Sequence, residues 1–121
     1  MTKNYKILTS YVKDISSKIS GTENYIYLKD NIPKYSLGID INSLPLKNNM
    51  AEVNIRLTFD NKNEKDKKAY FEMTHTTVVR VEESAVNKNE LKKIFLSDVP
   101  TEMYPEIEKK FFEIVKSIGY P

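Results

Sequence analysis

The chain has 121 residues, 19 Lys and Arg against 17 Asp and Glu, and no cysteine. A net charge of +2 is a mixed, solvating surface and not a nucleic-acid footprint, and the lack of Cys removes disulfides, thiolate metal sites and thiol nucleophiles. Three glycines form no phosphate-cradling loop, no apolar run approaches membrane-spanning length, and no signal-peptide apolar region opens the chain, so a single domain in a reducing, cytoplasmic interior is expected.

Tyr5 to Ile19 is the first predicted strand. Tyr5, Ile7, Thr9 and Tyr11 alternate with Lys6, Leu8, Ser10 and Val12, and Ile15, Ser17 and Ile19 then resume the first face. Apolar groups on both faces fit a central strand, or one that also meets a second subunit, with Tyr11 as the candidate contact. Ser20 to Pro33 reads as a crossover loop, with turn formers at Gly21, Asn24, Asp30, Asn31 and Pro33. Within it Tyr25, Ile26, Tyr27 and Leu28 set four large apolar side chains in a row. They are either pinned to the core or exposed as a binding patch.

Lys34 to Asn42 alternates as a strand, with Tyr35, Leu37, Ile39 and Ile41 on one face. Ser43 to Asn49 is a turn, and Glu52 to Asp60 is a second strand, with Val53, Ile55, Leu57 and Phe59 inward. Asn61 to Lys68 is a solvated loop of mixed charge. Ala69 to Glu82 is a long strand carrying Phe71, Met73, His75, Thr77, Val79 and Val81 on one face. The three strands make an antiparallel meander. Glu83 to Asn89 is a linker; Asn89 to Leu96 is a short helix with Asn89 as candidate N-cap, and Ser97 to Pro100 breaks it.

The chain from Val99 onward reads as its one long helix. Ile107, Phe111, Ile114, Val115 and Ile118 recur at helical spacing, Pro105 fits a first turn, and Gly119 with Pro121 is a stop. With Tyr104 and Phe112 the apolar arc spans roughly 160° on a helical wheel. One sheet face covers about 100°, so the surplus points to a second surface such as another subunit. Four strands followed by helices is an α+β order, with the helices on one sheet face.

No constellation carries enzymatic chemistry. His75 is the single histidine, flanked by threonines in a strand, and reads as a half-buried strand residue and not a metal ligand. The pairs Glu82–Glu83 and Glu106–Glu108 sit at a strand end and on a helix rim, and no serine lies in a nucleophile elbow. Neither catalysis, a metal nor a cofactor is expected. A binding protein, oligomeric through its surplus apolar surface, is.

Several motifs carry a resemblance. Tyr11-Val12-Lys13-Asp14-Ile15-Ser16 resembles the first-strand Y-x-K-D-[IL]-S of the SecB protein-export chaperones. Val99-Pro100 through Tyr104-Pro105 resembles the family's P-x-x-x-x-P with its preceding aromatic, and Ile118-Gly119-Tyr120-Pro121 its G-x-F-P. Phe71-Glu72-Met73 through Val78-Val79-Arg80-Val81 aligns without gaps on the family's last strand. Each motif alone is weak. Together, in order and at similar spacing over nearly the whole chain, they are fairly specific.

The resemblance implies a four-stranded antiparallel sheet, a long crossover after the first strand and a long helix packed on the sheet. It implies a homotetramer, a dimer of dimers, with Tyr11, Tyr104, Ile107, Phe111, Phe112 and Val115 between subunits. It further implies ATP-independent holding of unfolded preproteins in apolar grooves beside the crossover, with Tyr25, Ile26, Tyr27 and Leu28 touching clients. No nucleic acid and no membrane insertion are implied. Asp14 and Glu72 match acids of the face that docks the translocase motor SecA in the family, and Tyr70 takes its apolar place. Lys18 stands where another acid is usual, and the chain ends at Pro121 where the family continues into a second helix. Such a chain is a minimal member with an opener groove, or one cut short. The alternative reading is a SecB-like protein dedicated to one partner, as in a toxin–antitoxin module or a mobile-element factor.

Overall fold

The computed structural model describes residues 5–19, 21–61, 69–82 and 87–117. Four strands, β1 (Tyr5–Ile19), β2 (Ser36–Pro45), β3 (Met50–Asp60) and β4 (Ala69–Val81), form one antiparallel sheet in the order β1-β4-β3-β2. The connection from β1 to β2 therefore crosses the whole sheet, and the expected long crossover is present. It is not a loop. Residues Thr22–Asn31 are a helix, α1, followed by a 3-10 turn at Ile32–Lys34. Gly21 opens α1 at φ +141°, a region that a side chain disfavours. Asn31 closes it by donating Nδ2 to the Tyr27 carbonyl at 2.8 Å.

The β2–β3 hairpin turns on Asn48 and Asn49, both left-handed at φ 61° and 60°. Asparagine tolerates that region, and two such residues form the turn whose twist matches the flanking strands. Met50 N–H bonds the Lys47 carbonyl at 3.3 Å across it. The alternation of β2, β3 and β4 then keeps one phase throughout. Val53 pairs with Thr77, Ile55 with His75, Leu57 with Met73 and Phe59 with Phe71, all on the inner face.

In β1 the phase changes. Register shifts fall between Ile7 and Thr9 and between Val12 and Asp14, each adding one residue opposite β4. Tyr5 and Ile7 face inward, and so do Ile15, Ser17 and Ile19 beyond the second shift. Between the shifts the faces swap: Val12 pairs with His75 inward, while Tyr11 pairs with Thr76 on the outer face. The expected common face for Ile7, Thr9 and Tyr11 is thereby corrected.

The inner face is covered by helices. α1 lies over β4 and β1, and α3 (Val99–Ser117) over β3 and β4. Before α3 comes a six-residue helix α2 (Lys88–Lys93), capped by Asn87, whose side chain accepts from Glu90 N–H at 2.9 Å. The expected cap, Asn89, lies inside α2. The expected break at Ser97 to Pro100 is instead a π-helical turn at Ile94–Asp98, packed on β2, that runs into α3 with right-handed dihedrals retained. Pro100 has no N–H to give an α-type bond, and a widened turn accommodates it. Pro105 lies inside α3 and not in its first turn. Leu28, Ile94, Val99, Ile107, Phe111 and Val115 close a core with the inner sheet residues.

Candidate functional site

The crossover quartet divides by its place on α1. Leu28 is fully buried in the core, and Tyr27 is half-buried, its hydroxyl accepting from Asn61 Nδ2 at 2.9 Å. Tyr25 is half-buried as well, and Ile26 alone is widely exposed, at 51 %. Four consecutive residues on a helix point about 100° apart, so one of them turns to the sheet while another turns away. Ile26 and parts of Tyr25 and Tyr27 therefore lie at the surface, and Leu28 does not.

A cleft lies elsewhere. Ile41 of β2, Leu96 and Ser97 of the π-helical turn, and Pro100, Thr101, Tyr104 and Pro105 of α3 line a depression of about 370 Å³. The inner face of β2 should be covered by helix, since Ile39 and Ile41 pair with Leu57 and Ile55 of the core. Yet Ile39 is 44 %, Ile41 36 % and Leu96 39 % exposed. β2 is also an edge strand, so among the described residues one side of its backbone has no strand to pair with. At the cleft's far wall the Tyr104 hydroxyl hydrogen-bonds to Glu108, and that bond, with burial, pushes the phenol up to about 12. Tyr104 therefore stays a neutral donor, and the wall carries no phenolate.

The outer face is polar and self-paired. Thr76 Oγ1 donates to Asn54 Oδ1 at 2.6 Å, and Asn54 Nδ2 donates to Asn42 Oδ1 and Glu52 Oε2, both at 2.9 Å. Lys13, at the second β1 irregularity, reaches across β4 to Glu52 Oε2 at 2.9 Å. The hydrogen bond from Asn54 and then that from Lys13 hold the Glu52 carboxyl below its ordinary range. Asp14, Tyr70 and Glu72, the residues matched to a motor-docking face, lie here together on β1 and β4. Glu72, however, is engaged by Arg56 at 2.7 Å, and Asp14 and Asp40 add their fields to the same guanidinium. Lys18 stands opposite Tyr70.

Of the residues expected between subunits, Ile107 and Phe111 are fully buried and Val115 is 1 % exposed within the one chain. Their side chains pack into the core of the single chain. Phe112, at the margin of the helical arc, packs edge-on against Phe59 with ring centroids 6.3 Å apart. Phe112 and Tyr104 remain half-exposed, and Tyr11 is 47 % exposed on the outer face. Ile118 and the Gly119–Pro121 stop lie outside the described residues, as do residues 62–68 and Glu83.

His75 is buried at 1 %, deeper than its strand pattern suggests. Among the described residues no three His, Asp or Glu side chains gather as a metal site, and no helix is long and apolar enough to cross a membrane.

The chain is similar to known proteins over its full length. The profile of the SecB family, described as preprotein translocase subunit SecB, matches residues 1–121. A relative in Pelagibacter ubique, named as a candidate protein-export protein SecB, is 46 % identical over 121 residues, all of this chain and 86 % of its own. The protein-export protein SecB of Mesorhizobium japonicum is 25 % identical over 117 residues, 95 % of this chain and 68 % of its own. Among solved structures, a SecB-like chaperone of Mycobacterium tuberculosis in complex with a peptide from the HigA1 antitoxin superposes at a TM-score of 0.67. It is 9 % identical, covering 95 % of this chain and 84 % of that one, a likeness of fold.

Proposed function

We propose, since this chain belongs to the SecB family, that it is an export chaperone which holds unfolded preproteins without ATP and passes them to the Sec translocase. The family is one of chaperones and not of enzymes, and protein export is its coarse function. The finer reading places the client in the cleft of Ile41, Leu96, Pro100 and Tyr104, with Ile26 and the exposed parts of Tyr25 and Tyr27 as a second contact. One observation carries it: an apolar depression stays open beside an edge strand whose core-facing isoleucines are uncovered. Unfolded chains expose apolar side chains and unpaired backbone, and such a surface takes both. Copies working together would add avidity without sequence specificity. We take the assembly to be a homotetramer, a dimer of dimers, in the cytoplasm, with Tyr11 and Phe112 at its contacts.

The test is capture of a permanently unfolded probe, a reduced and carboxymethylated globular protein. Ile41→Ser with Leu96→Ser removes roughly 1.5 kcal/mol or more of apolar transfer per side chain, so affinity should fall at least about tenfold. Unchanged capture would reject the cleft.

A second reading, service to one dedicated partner, is favoured by one feature. Arg56 neutralises Glu72 on the face where motor docking would need free acid. The similar mycobacterial fold holds an antitoxin peptide. Pull-down separates the two readings: many unfolded clients together with SecA support export, and one stoichiometric partner supports the dedicated role.

A further inference from the structure

Resting on the assignment of the cleft to unfolded chains, we infer that Pro105 turns the Thr101 carbonyl into a hydrogen-bond acceptor for the backbone N–H of a bound polypeptide. The cleft then reads the unpaired main chain as well as apolar side chains.

In a helix each interior carbonyl is consumed by the N–H four residues on. A helical wall is therefore ordinarily a poor partner for another chain's backbone. Pro105 lies in the interior of α3 and supplies no N–H, and the carbonyl it fails to engage is that of Thr101. Its ring also crowds that carbonyl. An interior proline also destabilises a helix relative to alanine. Both members of the pair, Thr101 and Pro105, border the cleft, and Ile41 and Leu96 supply its apolar side.

A freed acceptor in this position discriminates by folding state. In a folded protein nearly every backbone N–H is already paired. In an extended, unfolded segment the N–H groups are available at every residue except proline. A carbonyl at the cleft wall thus favours unfolded over folded chains whatever their sequence. The apolar residues alone would also accept a greasy patch on a folded surface.

The experiment uses the full chain and a ten-residue apolar peptide cut from the carboxymethylated probe. Amides of the peptide are replaced by esters one at a time, which deletes an N–H at nearly constant shape. In the wild-type protein one replacement should weaken binding about fivefold, the value of one net hydrogen bond of about 1 kcal/mol. In Pro105→Ala, position 105 gives its N–H to Thr101. The same replacement should then change affinity less than about twofold, while the thermal midpoint rises. Equal ester sensitivity in both proteins overturns the inference, as does insensitivity at every position in wild type. The cleft itself then stands if Leu96→Ser still loses the peptide. Should Leu96→Ser bind as well as wild type, cleft and acceptor fall together.

Discussion

His75 is a base buried where a proton is unwelcome. Its Nδ1 is enclosed with no hydrogen-bond partner among the described residues, and the same holds for the Thr77 hydroxyl on the same face. Val12 and Ile55 flank it across the sheet, and from α3 Lys110 opposes its charge while Glu106 favours it. Burial first, and then Lys110, hold its pKa below the ordinary 6.5. The unfolded chain consequently binds the proton more readily than the folded one. The stability this confers is complete above about pH 6.5 and declines as pH falls below it. Thermal midpoints measured from pH 7.5 to 5 should fall for the wild type and fall less for His75→Leu; parallel curves would remove His75 from the pH response. Pattern alone put His75 on the inner face of its strand. Its depth was not legible, because that depends on α3, distant in the chain, closing over it. Gly21 is simpler. At φ +141° with open space around its missing Cβ, Gly21→Ala should cost about 1 kcal/mol or more through backbone strain alone, read as a lowered denaturation midpoint.

Elements were legible where one periodicity ran without interruption. β2, β3 and β4 kept their alternation, and the stripe of Ile107, Phe111 and Val115 marked the face of α3 that meets the sheet. α1 escaped because Tyr25, Ile26, Tyr27 and Leu28 are consecutive: they wrap the helix instead of striping it, and the turn formers at either end suggested a loop. The two irregularities of β1 left no composition signal, so the inversion that sends Tyr11 outward and Val12 inward could only be seen in the register. The same limit affected the long helix. Its broad apolar arc suggested a subunit contact, but the sheet and neighbouring ring systems already cover most of it. Phe111→Ala should therefore destabilise each chain by about 3–5 kcal/mol, and denaturation of the variant should show the same loss at low and high protein concentration. A loss that grows on dilution would instead return Phe111 to an interface. At the other end of the helical run, Asn87→Ala removes the bond to Glu90 N–H and should cost about 1 kcal/mol.

At the scale of the molecule, Ile26 is uncovered on α1, and two further exposed apolar groups lie at opposite edges of the sheet. Ile39, Ile41 and Leu96 are exposed along β2 and the π-helical turn; Leu8, Tyr11 and Ile15 are exposed along β1, at the opposite edge of the sheet. The cleft could not be read from the sequence because Ile41 of β2 is far along the chain from Leu96 and Tyr104 and meets them only through the fold. β1, in contrast, advertised itself as apolar on both faces. Two edges with different occupants make a separable prediction. If β1 meets sister copies and the β2 cleft meets clients, Tyr11→Ser with Ile15→Ser should lower the mass measured by light scattering. Each dissociated chain should still bind a short apolar peptide, with only the avidity for a long unfolded probe lost. Ile41→Ser with Leu96→Ser should do the reverse, keeping the mass and losing the short peptide. The two pairs should also combine additively, since they lie on opposite edges of the sheet and share no partners. If both pairs reduce mass and peptide affinity together, the edges are not independent, and client and subunit compete for one surface.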